Sequence, residues 1–288
     1  KAYLWLPNGA HSFTLSDVDA AVTYRVVVDG AAVTAERCEQ VGFSVNGVDV
    51  GSTGVGDGWT YFGRVLTIDG DGSMNREFRL SGRAENDEVQ IRVAGGATVV
   101  LQDAFVFTSG RPALEIEKSL YLKLAGGTSV LAATNGASAV TLPGRVSSNR
   151  LQIDLAQDGG VRGTSALEIR NFGDTAPAVY NRGEVDVWNG TLRVRSESRA
   201  FWYPFAYDTR LTGKAGDDAE TAVYMDDLVR YDMPYVVVAP LCLVRVPRME
   251  GVSCVVSNQT EQLLASEDYE YDPDYQVFRT MLGDDITV

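Results

Sequence analysis

Leu120-Tyr-Leu-Lys-Leu124 and Leu151-Gln-Ile-Asp-Leu155 decide the fold. Each alternates apolar and polar residues with a period of two, the pattern of a strand with one buried face. Val89-Gln-Ile-Arg-Val93, Val185-Asp-Val187 and Leu192-Arg-Val194 alternate in the same way. Gly-rich punctuation follows the runs, and no long segment carries a 3.6-residue period. A short helix is expected only near residues 217–222.

Around these runs a small residue, an alanine and an aliphatic recur. The copies are Pro112-Ala113-Leu114, Ser138-Ala139-Val140, Ser165-Ala166-Leu167 and Pro177-Ala178-Val179, with a weaker one at Arg199-Ala200-Phe201. A period in roughly the low twenties, built from strands and turns, is the signature of a β-solenoid. Such a fold presents long flat faces, suited to extended ligands or to a stalk. At roughly 24 residues per coil, residues 41–240 make about eight coils, a stack about 40 Å tall.

Composition narrows the function. The chain has 288 residues, 45% of them hydrophobic, enough for a substantial core, and 29 glycines suit many turns. Its 39 acidic and 25 basic residues give a net charge of −14. That charge repels nucleic acid and anionic membrane surfaces, and there is no basic stripe to offset it. No apolar run is long enough to span a membrane, and no signal peptide opens the sequence. Both ends fall in apparent mid-strand, so the sequence is read as an excerpt of a longer protein.

Three cysteines, Cys38, Cys242 and Cys254, do not make a disulfide framework. A hairpin of residues 241–246 with 252–257 would set Cys242 and Cys254 in diagonal register. A bridge there stands against the alternative of buried, inert thiols.

The organisation reads in three parts. Residues 1–40 form a small β module, with hairpin turns at Asn8-Gly9 and Asp29-Gly30. Residues 41–240 form the solenoid, and its first stretch is placed to cap the open strand edges. Pro234-Tyr-Val-Val-Val-Ala-Pro240 reads as a closing strand. Residues 241–288 form a further small β module, including the acidic stretch 267–275.

Val45-Asn-Gly-Val-Asp-Val50, Gly58-Trp-Thr-Tyr61 and Gly63-Arg-Val-Leu-Thr-Ile-Asp-Gly70 resemble the opening of modules in large surface proteins of gut bacteria. Pro112-Ala-Leu-Glu-Ile116, Leu120-Tyr-Leu-Lys-Leu-Ala-Gly-Gly127 and Ala215-Gly-Asp-Asp-Ala-Glu-Thr-Ala222 continue the likeness over residues 41–240. These modules are described as adhesin-like or carbohydrate-binding. The resemblance implies a right-handed parallel β-helix of the pectate-lyase type and carries no catalytic motif to transfer.

The chemistry-bearing residues are few. His11 is the single histidine, so any Ser-His-Asp, Cys-His or His-containing zinc arrangement would depend on it. Asp69-Gly-Asp-Gly-Ser73 has the alternating oxygens of a calcium loop, but Leu80 stands where a bidentate Glu is required, so a tight Asp/Gly-rich strand–turn–strand connection is the favoured reading. Asp217, Asp218, Glu220, Asp226 and Asp227 offer paired acids for glycoside hydrolysis, against a solvated acidic loop. Arg145, Arg150, Arg162 and Arg170 are scattered near turns and are expected to satisfy neighbouring acids. Phe201-Trp-Tyr-Pro-Phe-Ala-Tyr207 packs five rings into one short run, and Trp188 is expected about one coil away. Exposed rings make sugar-stacking platforms; buried ones plug the end of a core.

The expectation is therefore an all-β chain: a right-handed parallel β-helix (β-solenoid) with small β appendages at both ends. It is expected to serve as a non-catalytic binding and display module of a bacterial cell-surface or secreted protein, adhesin-like and extracellular. Its ligand is a glycan or a host or bacterial surface ligand, held by Trp188, Trp202, Tyr203 and Tyr207. No cofactor, metal, nucleic acid or membrane insertion is called for. The alternatives are a polysaccharide lyase or hydrolase on the same scaffold, and a purely structural stalk.

Overall fold

A computed structural model describes residues 5–16, 21–72, 74–144, 149–173, 175–225, 232–250, 253–259, 262–263 and 274–288. Ser73, Arg145, Asp226, Asp227 and most of the acidic stretch 267–275 lie outside them. The chain is all-β, dominated by parallel sheet.

Three parallel ladders carry the body. The first holds Val65–Ile68, Gln90–Val93, Leu114–Ile116, Val140–Leu142 and Val179–Asn181, and a bridge from Val179 to Phe201 extends it. The second stacks the first half of Glu77–Ala84, the first half of Ala97–Ser109, then Leu120–Ala125, Arg150–Leu155, Glu184–Val187 and Ala206–Tyr207. The third stacks the second halves of Glu77–Ala84 and Ala97–Ser109, then Thr128–Thr134, Ala166–Asn171 and Thr191–Arg195. The chain visits the ladders in turn and repeats the circuit.

Alternation sends one side chain in two inward, where it stacks on its counterpart in the next strand. The first ladder builds the column Leu66, Ile91, Leu114, Val140, Val179 and Phe201, and the second builds Phe78, Val99, Leu122, Ile153 and Val187. Val106, Leu131, Ile169, Val194 and Val236 form the third. All are essentially fully buried in one continuous core. Glycines let the corners stack: a Cβ on Gly95 would collide with the Gly70 carbonyl one level below.

The runs at 89–93, 120–124 and 151–155 are expected to stack on one another as parallel strands, and this is met in part. Leu120–Ala125 and Arg150–Leu155 are direct parallel neighbours, whereas Gln90–Val93 belongs to the first ladder. The first two ladders hold six levels, not eight, about 24 Å of stack. Residues 41–64 are spent on a cap, and the circuit from Ala139 to Ala178 is lengthened.

The cap is antiparallel. Trp59–Phe62 pairs with Val65–Ile68, and Phe43–Val45 pairs with Glu77–Ala84, covering the starting edges. The one helix of the described residues is the single turn Val50–Thr53, with Asp49 accepting from the Ser52 amide at 2.9 Å. Residues 217–222 instead form a turn, because Asp218 accepts from the Glu220 and Thr221 amides and from the Thr221 hydroxyl.

At the other end Tyr235–Pro247 runs antiparallel to Thr191–Arg195 and to Leu211–Gly216, then continues past residue 240 to pair with Tyr275–Met281. Cys242 thus faces Thr280, Val256–Ser257 pairs with Gln262–Leu263, and all three cysteines are free. Instead of the expected 241–246/252–257 hairpin, residues 241–247 pair with Tyr275–Met281 and, among the described residues of the second arm, Val256–Ser257 pair with Gln262–Leu263.

Gly9–Ser16, Ala21–Asp29 and Ala32–Arg37 form a separate three-stranded antiparallel sheet. Arg25 leaves it to lie buried over the Phe62 ring, 4.7 Å from its centroid, in a salt bridge with Glu36. Burial pulls its guanidinium down to about 10.

Candidate functional site: an aromatic shelf on the first ladder

The inward columns dictate what faces out. On the first ladder, Arg92 neighbours Glu115, then Thr141 and Tyr180, and Trp202 follows Phe201 at the last level. The Trp202 amide donates to the Val179 carbonyl at 3.0 Å, which keeps the final segment in register. The aromatic run therefore splits. Phe201 and Phe205 turn inward and stack at 4.3 Å, closing the core, while Trp202 and Tyr203 are 38% and 48% exposed.

Outside, Tyr180 and Trp202 lie 5.7 Å apart between centroids, and Tyr203 meets Trp202 edge-on at 6.4 Å. The Arg199 guanidinium sits over the Trp202 ring at 4.8 Å. Asn181 fixes the backbone beneath. Its fully buried amide accepts from the Tyr203 N–H at 3.0 Å and donates to the Tyr203 and Pro204 carbonyls at 3.2 and 3.3 Å. Three rings and one cation are thus held on a rigid strand end, with faces and edges in different orientations. Such a surface can stack on the apolar face of a sugar ring while Arg199 and the Tyr203 hydroxyl offer hydrogen bonds.

The structure brings Trp202 and Tyr203 together but sets the other two expected residues apart from them. Trp188 directly follows the second-ladder strand Glu184–Val187, is 39% exposed, and packs on Tyr121 at 6.2 Å. There Asp154 accepts from the Tyr121 hydroxyl at 2.7 Å and from Asn189 at 2.9 Å. Burial, then this bond and the Asp154 charge, push the Tyr121 phenol up to about 12. Tyr207 is half-buried on the second ladder, its ring against Phe205.

Tyr180, Asn181 and Arg199 join the site without having been singled out in the sequence. A signal existed: laying Pro177-Ala-Val-Tyr180 over Arg199-Ala-Phe-Trp202 puts Tyr180 beside Trp202.

The remaining candidates resolve simply. His11 bonds the Pro7 carbonyl at 2.9 Å. Arg150 pairs with Asp186 and Arg170 with Glu168, while Arg162 donates to the Arg210 carbonyl. Asp69 and Gly70 form the corner between the first and second ladders, and no group of three or more His, Cys, Asp or Glu among the described residues is arranged to hold a metal. No helix of those residues is long and apolar enough to cross a membrane. No protein-family model, curated protein or solved structure matches this chain.

Proposed function

We propose that this chain is a non-catalytic, adhesin-like display module of a bacterial surface or secreted protein, wound as a right-handed parallel β-helix, and that it binds glycan. The observation that carries the reading is the Tyr180–Trp202–Tyr203 shelf, exposed yet clamped from below by buried Asn181. A strand end that merely closed the core would need Phe201 and Phe205 alone. The circuit through three parallel ladders, and the likeness of residues 41–240 to carbohydrate-binding modules of gut-bacterial surface proteins, support the same reading.

A shelf of this kind contacts one face of a sugar, so a single site binds weakly, at about millimolar to micromolar Kd. Several copies along a parent chain would raise the avidity. The test is a glycan array probed with a multivalent display of the protein. Selective binding of a set of related glycans supports the proposal; a silent array favours a stalk.

A further inference from the structure

The outer face of the third ladder differs in charge from the rest of this acidic chain. Arg193 and Arg195 stand two residues apart on Thr191–Arg195, on the outward side and exposed. Arg193 neighbours Glu168 and Arg195 neighbours Arg170 on one side; Tyr235 lies opposite Arg195 on the other. These residues and Phe172 line a trough of about 280 Å³. A second hollow of about 430 Å³ adjoins it, sharing Arg193 and Tyr235, and reaches Lys214 and Asp284 under the C-terminal strand.

The ion pairs sort the charges. Arg170 is neutralised by Glu168, and Lys214 by Asp284. Among the described residues neither Arg193 nor Arg195 forms an ion pair: Glu168, beside Arg193 in register, bonds Arg170 instead, and Asp218 feels Arg195 only through its charge. Two like-charged guanidiniums two residues apart on one face, neither bonded to a carboxylate, are free to share an anion. A guanidinium fork is matched to a planar or tetrahedral oxyanion, which it binds in bidentate fashion. Phe172, half-exposed against Phe107, and the Tyr235 ring add apolar walls.

We propose that this trough is a second binding site, for a carboxylate- or sulfate-bearing sugar: the oxyanion sits between Arg193 and Arg195, and the ring lies between Tyr235 and Phe172. The proposal rests on the glycan reading for its ligand class, but on none of the shelf residues.

The experiment is calorimetric titration of the whole chain with a glucuronate-terminated, a sulfated and a neutral oligosaccharide of matched length, and with inorganic sulfate alone. The variants are Arg193→Gln/Arg195→Gln and Trp202→Ala. The expected result is that one or both acidic sugars bind about tenfold or more tighter than the neutral one, the difference expected from charge-assisted bonds. The arginine variant removes this preference without changing the melting temperature, and Trp202→Ala preserves it. Added salt weakens the acidic sugar's binding. Equal binding of acidic and neutral sugars, or an acidic preference that survives in the arginine variant, overturns the proposal while leaving the shelf reading intact. Binding of sulfate alone as tightly as of the sulfated sugar overturns the sugar part and leaves a simple anion site.

Discussion

Lys214 Nζ lies 2.7 and 2.8 Å from the two carboxylate oxygens of Asp284, with side chains only 8% and 10% exposed. The pair joins Leu211–Gly216, at the end of the ladders, to the segment after Tyr275–Met281. Asp284 also accepts from the Tyr224 hydroxyl at 2.5 Å and from the Thr280 hydroxyl at 3.1 Å. Burial alone would push its carboxyl up, but the bonds from Lys214 and Tyr224 outweigh burial and leave it below the ordinary range. Tyr224 is held well above the ordinary phenol range, by burial and then by Asp284.

Breaking one partner of a buried pair strands the other charge, so Asp284→Asn should cost about 3–5 kcal/mol in denaturant unfolding. The pH dependence has a definite sign. A carboxyl depressed by folding contributes its full stabilisation above its unfolded value of about 3.9 and loses it as pH falls toward the folded value. The gap between wild type and Asp284→Asn should be constant near neutrality and narrow below about pH 4.

Leu122 and Lys123 are adjacent and face opposite ways. Leu122 is 1% exposed in the inward column between Val99 and Ile153, so Leu122→Ala should cost about 2–5 kcal/mol. Lys123 makes a surface bond to Glu77 at 2.8 Å, so Lys123→Ala should cost at most about 1 kcal/mol. Equal costs would contradict the stacked-ladder arrangement.

The Tyr121 phenol should titrate at about 12, read as the difference between the near-ultraviolet absorbance titrations of wild type and Tyr121→Phe, since the chain has 13 tyrosines. Asp154→Asn removes the carboxylate that opposes ionisation, so the midpoint should fall. It should stay above the free value of about 10, because burial is the larger cause. A midpoint unmoved by the substitution would contradict the Tyr121–Asp154 bond.

Phe201 and Trp202 supply a stability contrast. Phe201→Ala opens a cavity against Phe205 and should cost about 3–5 kcal/mol. Trp202→Ala removes an exposed ring and should leave the melting temperature nearly unchanged.

The alternation in Leu120-Tyr-Leu-Lys-Leu124 makes strands legible, because a period of two survives any ladder assignment. Which ladder a strand joins is not local information. Ala113, Ala139, Ala178 and Ala200 all enter the first ladder, and the amides of Leu114, Val140 and Val179 donate in sequence to Ala139, Ala178 and Ala200. Ser165-Ala166-Leu167 looks the same but opens a third-ladder strand, since its burial needs are identical there. That one misplaced echo conceals the lengthened circuit and inflates the count of coils. At the shelf, the split of Phe201 from Trp202 follows from alternation, whereas the separation of Trp188 from Trp202 depends on ladder membership. The trough was hidden for the same reason: Arg170, Arg193, Arg195 and Tyr235 come from three strands that only the ladder register brings together.

The central claim, glycan binding by the exposed rings at the end of the first ladder, is tested most directly by calorimetric titration of a neutral, array-selected oligosaccharide into wild type, Trp202→Ala and Trp188→Ala. Wild type should bind at about millimolar to micromolar Kd, with little dependence on salt. Trp202→Ala should show no measurable binding at an unchanged melting temperature, and Trp188→Ala should bind like wild type. Undiminished binding by a folded Trp202→Ala would contradict the account.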